Sequence, residues 1–190
     1  MRLQEIYNDI ITNHPNRYTD KGIGTLRPGT PLGHTFCEIY DLLLDKYVDQ
    51  PINFLEIGIS KGGSLLMWRE YFPKAYIYGI DIFKQFDDFK PKDDIKTFIL
   101  DATNEPAADA ALKDLRFDII LDDAAHDKES QMRVFNIFSK RVVDGGMYLI
   151  EDVDDINNDL PYFSTKKIPT VIDRRLKNNL WNDVILLYQF

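Results

Sequence analysis

The feature that most restricts how this chain can fold begins at residue 52. From there short apolar runs alternate with helical patterns. Ile52–Ile57, Tyr76–Ile80, Thr97–Leu100, Phe117–Leu121 and Met147–Ile150 read as strands. Gly63–Phe72, Ala107–Leu115 and Ser130–Val142 read as helices, the first stopped by Pro73 and the last near Gly145 and Gly146. Phe117–Leu121 has almost no polar alternation. Strands that are apolar on both sides are buried on both faces, as in a parallel sheet covered by helices. Alternation of strand and helix with right-handed crossovers gives an open, mostly parallel α/β sheet with helices on both faces. The tail, Asn182–Phe190, reads as one more strand, antiparallel and at the sheet's edge.

Residues 51–190 are expected to form this core. Residues 1–50 are expected to be a short helical cap of the same domain. Leu3, Ile6, Tyr7, Ile10 and Ile11 mark one amphipathic helix, and Phe36, Ile39, Tyr40, Leu43, Leu44 and Tyr47 a second. Between them Asn16–His34 carries Gly22, Gly24, Pro28, Gly29, Pro31 and Gly33. That is loop chemistry, with the length and glycine content of a lid.

Composition narrows the partners. Among 190 residues, Lys and Arg total 23 and Asp and Glu 31, a formal net charge of −8. A chain that grips phosphate backbones needs a basic face, so nucleic acid and anionic membranes are disfavoured and a small molecule or a cation is favoured. The one cysteine, Cys37, permits no intramolecular disulfide and fits a reducing compartment. Acids stand where a signal peptide would be apolar, and no apolar run approaches the ~18 residues of a membrane span. A cytoplasmic protein is the expectation.

Ligands of open α/β sheets sit at the carboxyl ends of the strands. The first strand runs into Glu56, Gly58, Ser60, Gly62, Gly63 and Ser64. Glycines there let backbone approach a ligand at a helix N-terminus. The spacing is GxxxGG rather than the dinucleotide GxGxxG. Ser60 stands where the second glycine would admit a pyrophosphate, which argues against a dehydrogenase. The acid before the turn suits a ligand with a cationic amine. Asp81 ends the second strand 23 residues after Gly58, near the offset of a carboxylate on ribose hydroxyls, although a helix cap would use it equally well. Asp101, after the third strand, could accept a hydrogen bond from an adenine amino group or cap the next helix.

The fourth strand runs into Asp122, Asp123 and His126, and the fifth into Glu151 and Asp152. These ends should be neighbours, and like charges that close call for a cation or a proton. Hard oxygen donors suit Mg²⁺, Mn²⁺ or Ca²⁺; solvated acids capping helices are the plainer alternative. His126 beside them is placed to take a proton from a hydroxyl. A two-histidine, one-carboxylate iron site from His34, His126 and Asp123 is a further alternative.

The stretch Phe54 to Leu65, with Met67, Trp68, Tyr71, Phe72, Pro73 and Ile77 to Asp81, resembles the Rossmann-like class I S-adenosylmethionine-dependent methyltransferases. More narrowly it resembles the metal-dependent sugar O-methyltransferases of macrolide biosynthesis, of the mycinamicin and macrocin type. Phe117–His126 is similar to their IDDGSH segment and Gly145–Asp152 to their GGxYxIED segment. Thr19, Asp20, Lys21, Gly22 and His34 are similar to their TDKG…H segment. The resemblance implies S-adenosylmethionine held by Glu56, Gly58, Ser60, Gly62, Gly63, Ser64, Asp81, Asp101 and Asp122. It implies Mg²⁺ (or Mn²⁺) on Asp123, Glu151 and Asp152, with His126 as base and Asp123 beside it in catalysis. The acceptor is expected to be a small molecule or glycan hydroxyl. A catechol-type acceptor and a non-catalytic cofactor-binding subunit are the alternatives. Ala124 and Ala125 replace the family's Gly-Ser. The family's enzymes are often longer, so either the acceptor lies in an open groove or another copy in a homo-oligomer completes the pocket.

Overall fold

The computed structural model describes residues 2–17, 19–22, 33–86, 89, 94–178 and 180–190. Most of the loop read as a lid, residues 23–32, lies outside them. Helices α1 (Arg2–Asn13) and α2 (Phe36–Leu44) lead into β1 (Asn53–Ile57). There follow α3 (Gly63–Tyr71), β2 (Tyr76–Asp81), β3 (Ile95–Ile99), α4 (Glu105–Leu112), β4 (Phe117–Asp122), α5 (Lys128–Phe138) and β5 (Val142–Ile150). The chain ends with α6 (Ile156–Phe163), β6 (Thr170–Asp173), α7 (Arg175–Asn178) and β7 (Val184–Gln189).

The seven strands lie in the order β3-β2-β1-β4-β5-β7-β6. β1 to β5 pair in parallel, and β7 runs antiparallel to both β5 and β6. The open α/β sheet is the expected one. Two details differ. β7 is antiparallel but not at the edge, because the four-residue β6 pairs outside it. Gly145 and Gly146 do not stop a helix: α5 ends at Phe138, and both glycines lie within β5.

Each face of the sheet buries its own apolar layer, which is why the central strands lack polar alternation. Phe54, Ile119, Leu121, Leu149 and Leu187 pack with Tyr7, Phe36, Tyr40 and Trp68 from α1, α2 and α3. Leu55, Ile57, Ile120, Tyr148 and Leu186 pack with Leu112, Phe135, Phe138 and Phe163 from α4, α5 and α6. Strand order reverses beside β1, where α3 returns the chain to β2 on one side and β4 lies on the other. A crevice opens at the carboxyl ends of strands at such a point. Among the described residues no helix is long and apolar enough to cross a membrane.

Candidate functional site

The carboxyl ends of β1 to β4 enclose a cavity of about 480 Å³, the size of a small-molecule site. Its wall includes Gly58, Ser60 and Ser64 from the turn after β1, Asp81 and Asp101 after β2 and β3, and Asp123 and His126 after β4. Gly58 has φ +85°, and a Cβ there would stand 2.0 Å from the Asp123 carbonyl oxygen. The turn therefore lies directly against the β4 loop. Gly62 and Gly63 follow, at the cap and first residue of α3. Asp81 braces the turn: its Oδ2 accepts from the Ile59 and Ser60 N–H groups at 3.0 and 2.8 Å, and its Oδ1 from Phe83 N–H at 3.0 Å. Asp101 accepts from the Thr103 N–H and hydroxyl at 2.8 and 2.7 Å, which hold its pKa below the usual carboxylate range.

Two of the expected cofactor acids are buried beside this wall. Glu56 accepts from the Ser64 hydroxyl at 2.7 Å. Burial pushes its pKa up to about 7 against the pull of Lys21. Asp122 accepts from the Tyr148 hydroxyl at 3.0 Å and is likewise pushed up to about 7 by burial.

The β4 and β5 ends are neighbours, as expected, and carry the acid cluster. Asp123, His126 and Asp152 each offer a ligand atom, all within 4.8 Å of one another. His126 Nε2 lies 3.5 Å from Asp123 Oδ1 and 3.7 Å from Asp152 Oδ2. The Asp123 contact raises the pKa of His126. Burial and the neighbouring carboxylates push Asp152 up to about 10. Asp152 has φ +56°, uncommon for a residue with a side chain. Its Oδ1 is buried with no hydrogen bond among the described residues. Apart from the His34 ring 3.3 Å away, this buried acceptor has no partner among them, which fits a site that takes a cation.

Glu151 is placed differently from the expectation. It is buried, and its Oε1 accepts from the Tyr40 hydroxyl. Its Oε2 lies 2.6 Å from the Lys21 ammonium, which also lies 2.7 Å from Asp123 Oδ2 and 3.2 Å from Glu56 Oε1. Lys21 has no exposed surface. Burial alone would lower its pKa, but Asp123, Glu151 and Glu56 outweigh it and keep the side chain an ammonium. The same lysine holds Asp123 down to about 2 despite burial.

His34 does not join His126 and Asp123. Its Nε2 faces Asp152 Oδ1 at 3.3 Å and its Nδ1 faces Asp183 Oδ1 at 3.2 Å. The two-histidine iron arrangement is therefore not formed. Lys21, Tyr40 and Asp183 are the participants that reading the residues singly misses. The signal for Lys21 was present in the Thr19–Gly22 segment; Tyr40 and Asp183 carry none.

No family model matches the chain. It is 33% identical over 132 residues to the 8-demethyl-8-(2-methoxy-alpha-L-rhamnosyl)-tetracenomycin-C 3'-O-methyltransferase of Streptomyces olivaceus, covering 64% of this chain and 33% of that protein. It is 33% identical over 129 residues to the demethylmacrocin O-methyltransferase of Streptomyces fradiae, covering 63% and 32%. The chain thus spans about a third of the length of the curated relatives it matches. Among solved structures, the MycE methyltransferase of the mycinamycin biosynthetic pathway, in complex with Mg and SAH, matches with a TM-score of 0.64 and 27% identity. That match covers 86% of this chain and 40% of that one. A further MycE structure contains mycinamycin VI as well. The fold is methyltransferase-like, and over this shared part the chain is similar to sugar O-methyltransferases.

Proposed function

We propose that the chain acts as an S-adenosylmethionine-dependent, divalent-metal-dependent O-methyltransferase on a hydroxyl of a sugar or glycosylated small molecule. The observation that carries this reading is the cavity bounded by the Gly58–Ser64 turn and Asp81, opening onto Asp123 and His126 with Asp152 beside them. The similarity to sugar O-methyltransferases supports the choice of acceptor.

In this reading the turn from Gly58 to Ser64 and the carboxylates of Asp81 and Asp101 hold the cofactor, with Glu56 and Asp122 supporting the wall from beneath. Asp123 and Asp152 would hold Mg²⁺ or Mn²⁺, with Glu151 beside them on Tyr40 and Lys21. The buried Asp152 Oδ1, which makes no hydrogen bond among the described residues and has the His34 ring 3.3 Å away, is the atom that most favours such a group. A bound divalent cation supplies orientation of the acceptor hydroxyl and a lower pKa for it. His126 accepts the proton of that hydroxyl as its oxygen attacks the methyl carbon; the methyl–sulfur bond breaks, and its electron pair leaves on the sulfur of S-adenosylhomocysteine. The imidazolium so formed faces Asp123 and Asp152, which stabilise it. Because the sulfonium is already activated, positioning supplies much of the gain.

The test is calorimetry with S-adenosylhomocysteine, with and without Mg²⁺, followed by methyl transfer to a panel of glycosylated and catechol acceptors. Binding, and transfer to a sugar hydroxyl that EDTA abolishes, is expected. Absence of S-adenosylhomocysteine binding overturns the reading, and transfer only to catechols corrects the acceptor.

A further inference from the structure

The Lys21 ammonium stands where cationic charge is most needed in the acid cluster. It lies 2.6 Å from Glu151 Oε2 and 2.7 Å from Asp123 Oδ2. Both of these are among the acids expected to hold a divalent cation. With Tyr40 on Oε1, each oxygen of Glu151 already has a hydrogen-bond donor. The lysine is fixed from behind as well as in front. Its carbonyl accepts from Cys37 N–H at 3.0 Å, and Gly22 lies so close to the Tyr7 ring that a Cβ would stand 2.5 Å from it. Thr19 and Asp20, the two residues before it, line the cavity. The segment thus places one permanent positive charge beneath the ligand wall.

We propose that Lys21 is a resident counter-cation that shares Asp123 and Glu151 with the divalent cation and competes with it, so that this lysine sets the affinity of the site for metal. The inference rests on the metal-dependent reading above. Two cations drawn to the same carboxylate oxygens repel each other, and the repulsion is strongest where water is excluded. A divalent ion on Glu151 Oε2, at a magnesium–oxygen distance of about 2.0–2.1 Å, would stand beside the ammonium on the same oxygen and compete with it for that negative charge. In the absence of metal the lysine keeps the acids together, since buried carboxylates that close do not stay ionised unaided. Lys21 is thereby a positioning residue: it holds the ligands in place and weakens the hold of the ion they were built for.

The experiment is titration of the intact chain with Mn²⁺ by calorimetry, for the wild type, Lys21→Met and Lys21→Arg. A merely structural lysine would leave Lys21→Met with weaker binding. Competition predicts the opposite: Lys21→Met binds Mn²⁺ at least tenfold more tightly, while Lys21→Arg, which keeps the charge, does not gain. Unchanged or weaker binding by folded Lys21→Met, with the wild type binding normally, overturns this proposal and leaves the metal-dependent reading intact. Failure of the wild type and both variants to bind Mn²⁺ overturns both. If Lys21→Met does not fold, acetylation of wild-type lysines, mapped by mass spectrometry, decides the matter. Lys21 labelling should rise severalfold with Mn²⁺, and equal labelling overturns the proposal.

Discussion

Gly58 is the residue at which the cavity and the acid cluster meet. A side chain there would strike the Asp123 carbonyl, and the φ of +85° adds strain. Gly58→Ala should lower stability by at least about 1 kcal/mol from the left-handed conformation alone. It should also abolish S-adenosylhomocysteine binding, as a thermal melt and calorimetry would show. His126→Ala should reduce turnover by roughly 10²–10⁴-fold while leaving S-adenosylhomocysteine affinity unchanged. Equal losses in both would make the histidine a cofactor ligand instead of a base. That these residues line one cavity was legible from spacing, because positions just past the strands of a parallel sheet converge on one edge. Lys21 was not legible in the same way. A lysine in a glycine-rich stretch reads as solvated, and its burial depends on Glu151, 130 residues away. The phenol of Tyr40 was hidden by its place on the apolar face of α2.

At the scale of elements, the parallel core could be read from sequence because burial on both faces removes polar alternation. The far side of the sheet could not. β6 is four residues long, with no residue fully buried, so its apolar signal is too weak to declare an outer strand. Gly145 and Gly146 mislead for a related reason: a glycine pair is as acceptable in a strand's irregular start as at a helix end. The outer elements are fastened by polar contacts. Glu38 on α2 accepts from Arg174 and Lys177, which flank the start and middle of α7. The Lys177 hydrogen bond, opposed by burial and aided by Arg174, holds the Glu38 carboxyl below its usual range. An acid whose pKa falls on folding stabilises the fold above its unfolded pKa and loses that contribution as pH falls through the lowered value. Glu38→Gln should therefore cost about 0.2–1 kcal/mol at neutral pH. The difference should vanish in strong acid, as urea melts across pH 7 to 3 would reveal.

For the whole molecule, the net charge of −8 takes on a location. Glu56, Asp81, Asp101, Asp123, Glu151 and Asp152 all stand at or just past the carboxyl ends of strands β1 to β5, on one edge of the sheet. On the proposed function, a cation and a sulfonium bound there would neutralise part of that edge. Each ligand that binds only the folded chain stabilises it, by about 2.7 kcal/mol at a concentration one hundred times its dissociation constant. Melting temperature should rise with Mg²⁺ and S-adenosylhomocysteine together by more than with either alone, and EDTA should remove the metal's share. A melt indifferent to both would separate the acidity from ligand binding.

The pairing of His34 with Asp183, 149 residues apart, and of Lys21 with Glu151, 130 apart, builds the site from segments distant in sequence. Contacts of such separation cost the most loop-closure entropy and form slowly. β2 and β3 can pair with β1 through successive crossovers, whereas the ligand edge also needs the N-terminal segment and β7's flank to dock. During refolding, recovery of helical signal should therefore precede recovery of metal binding, and affinity for the ion becomes a clock for the final step.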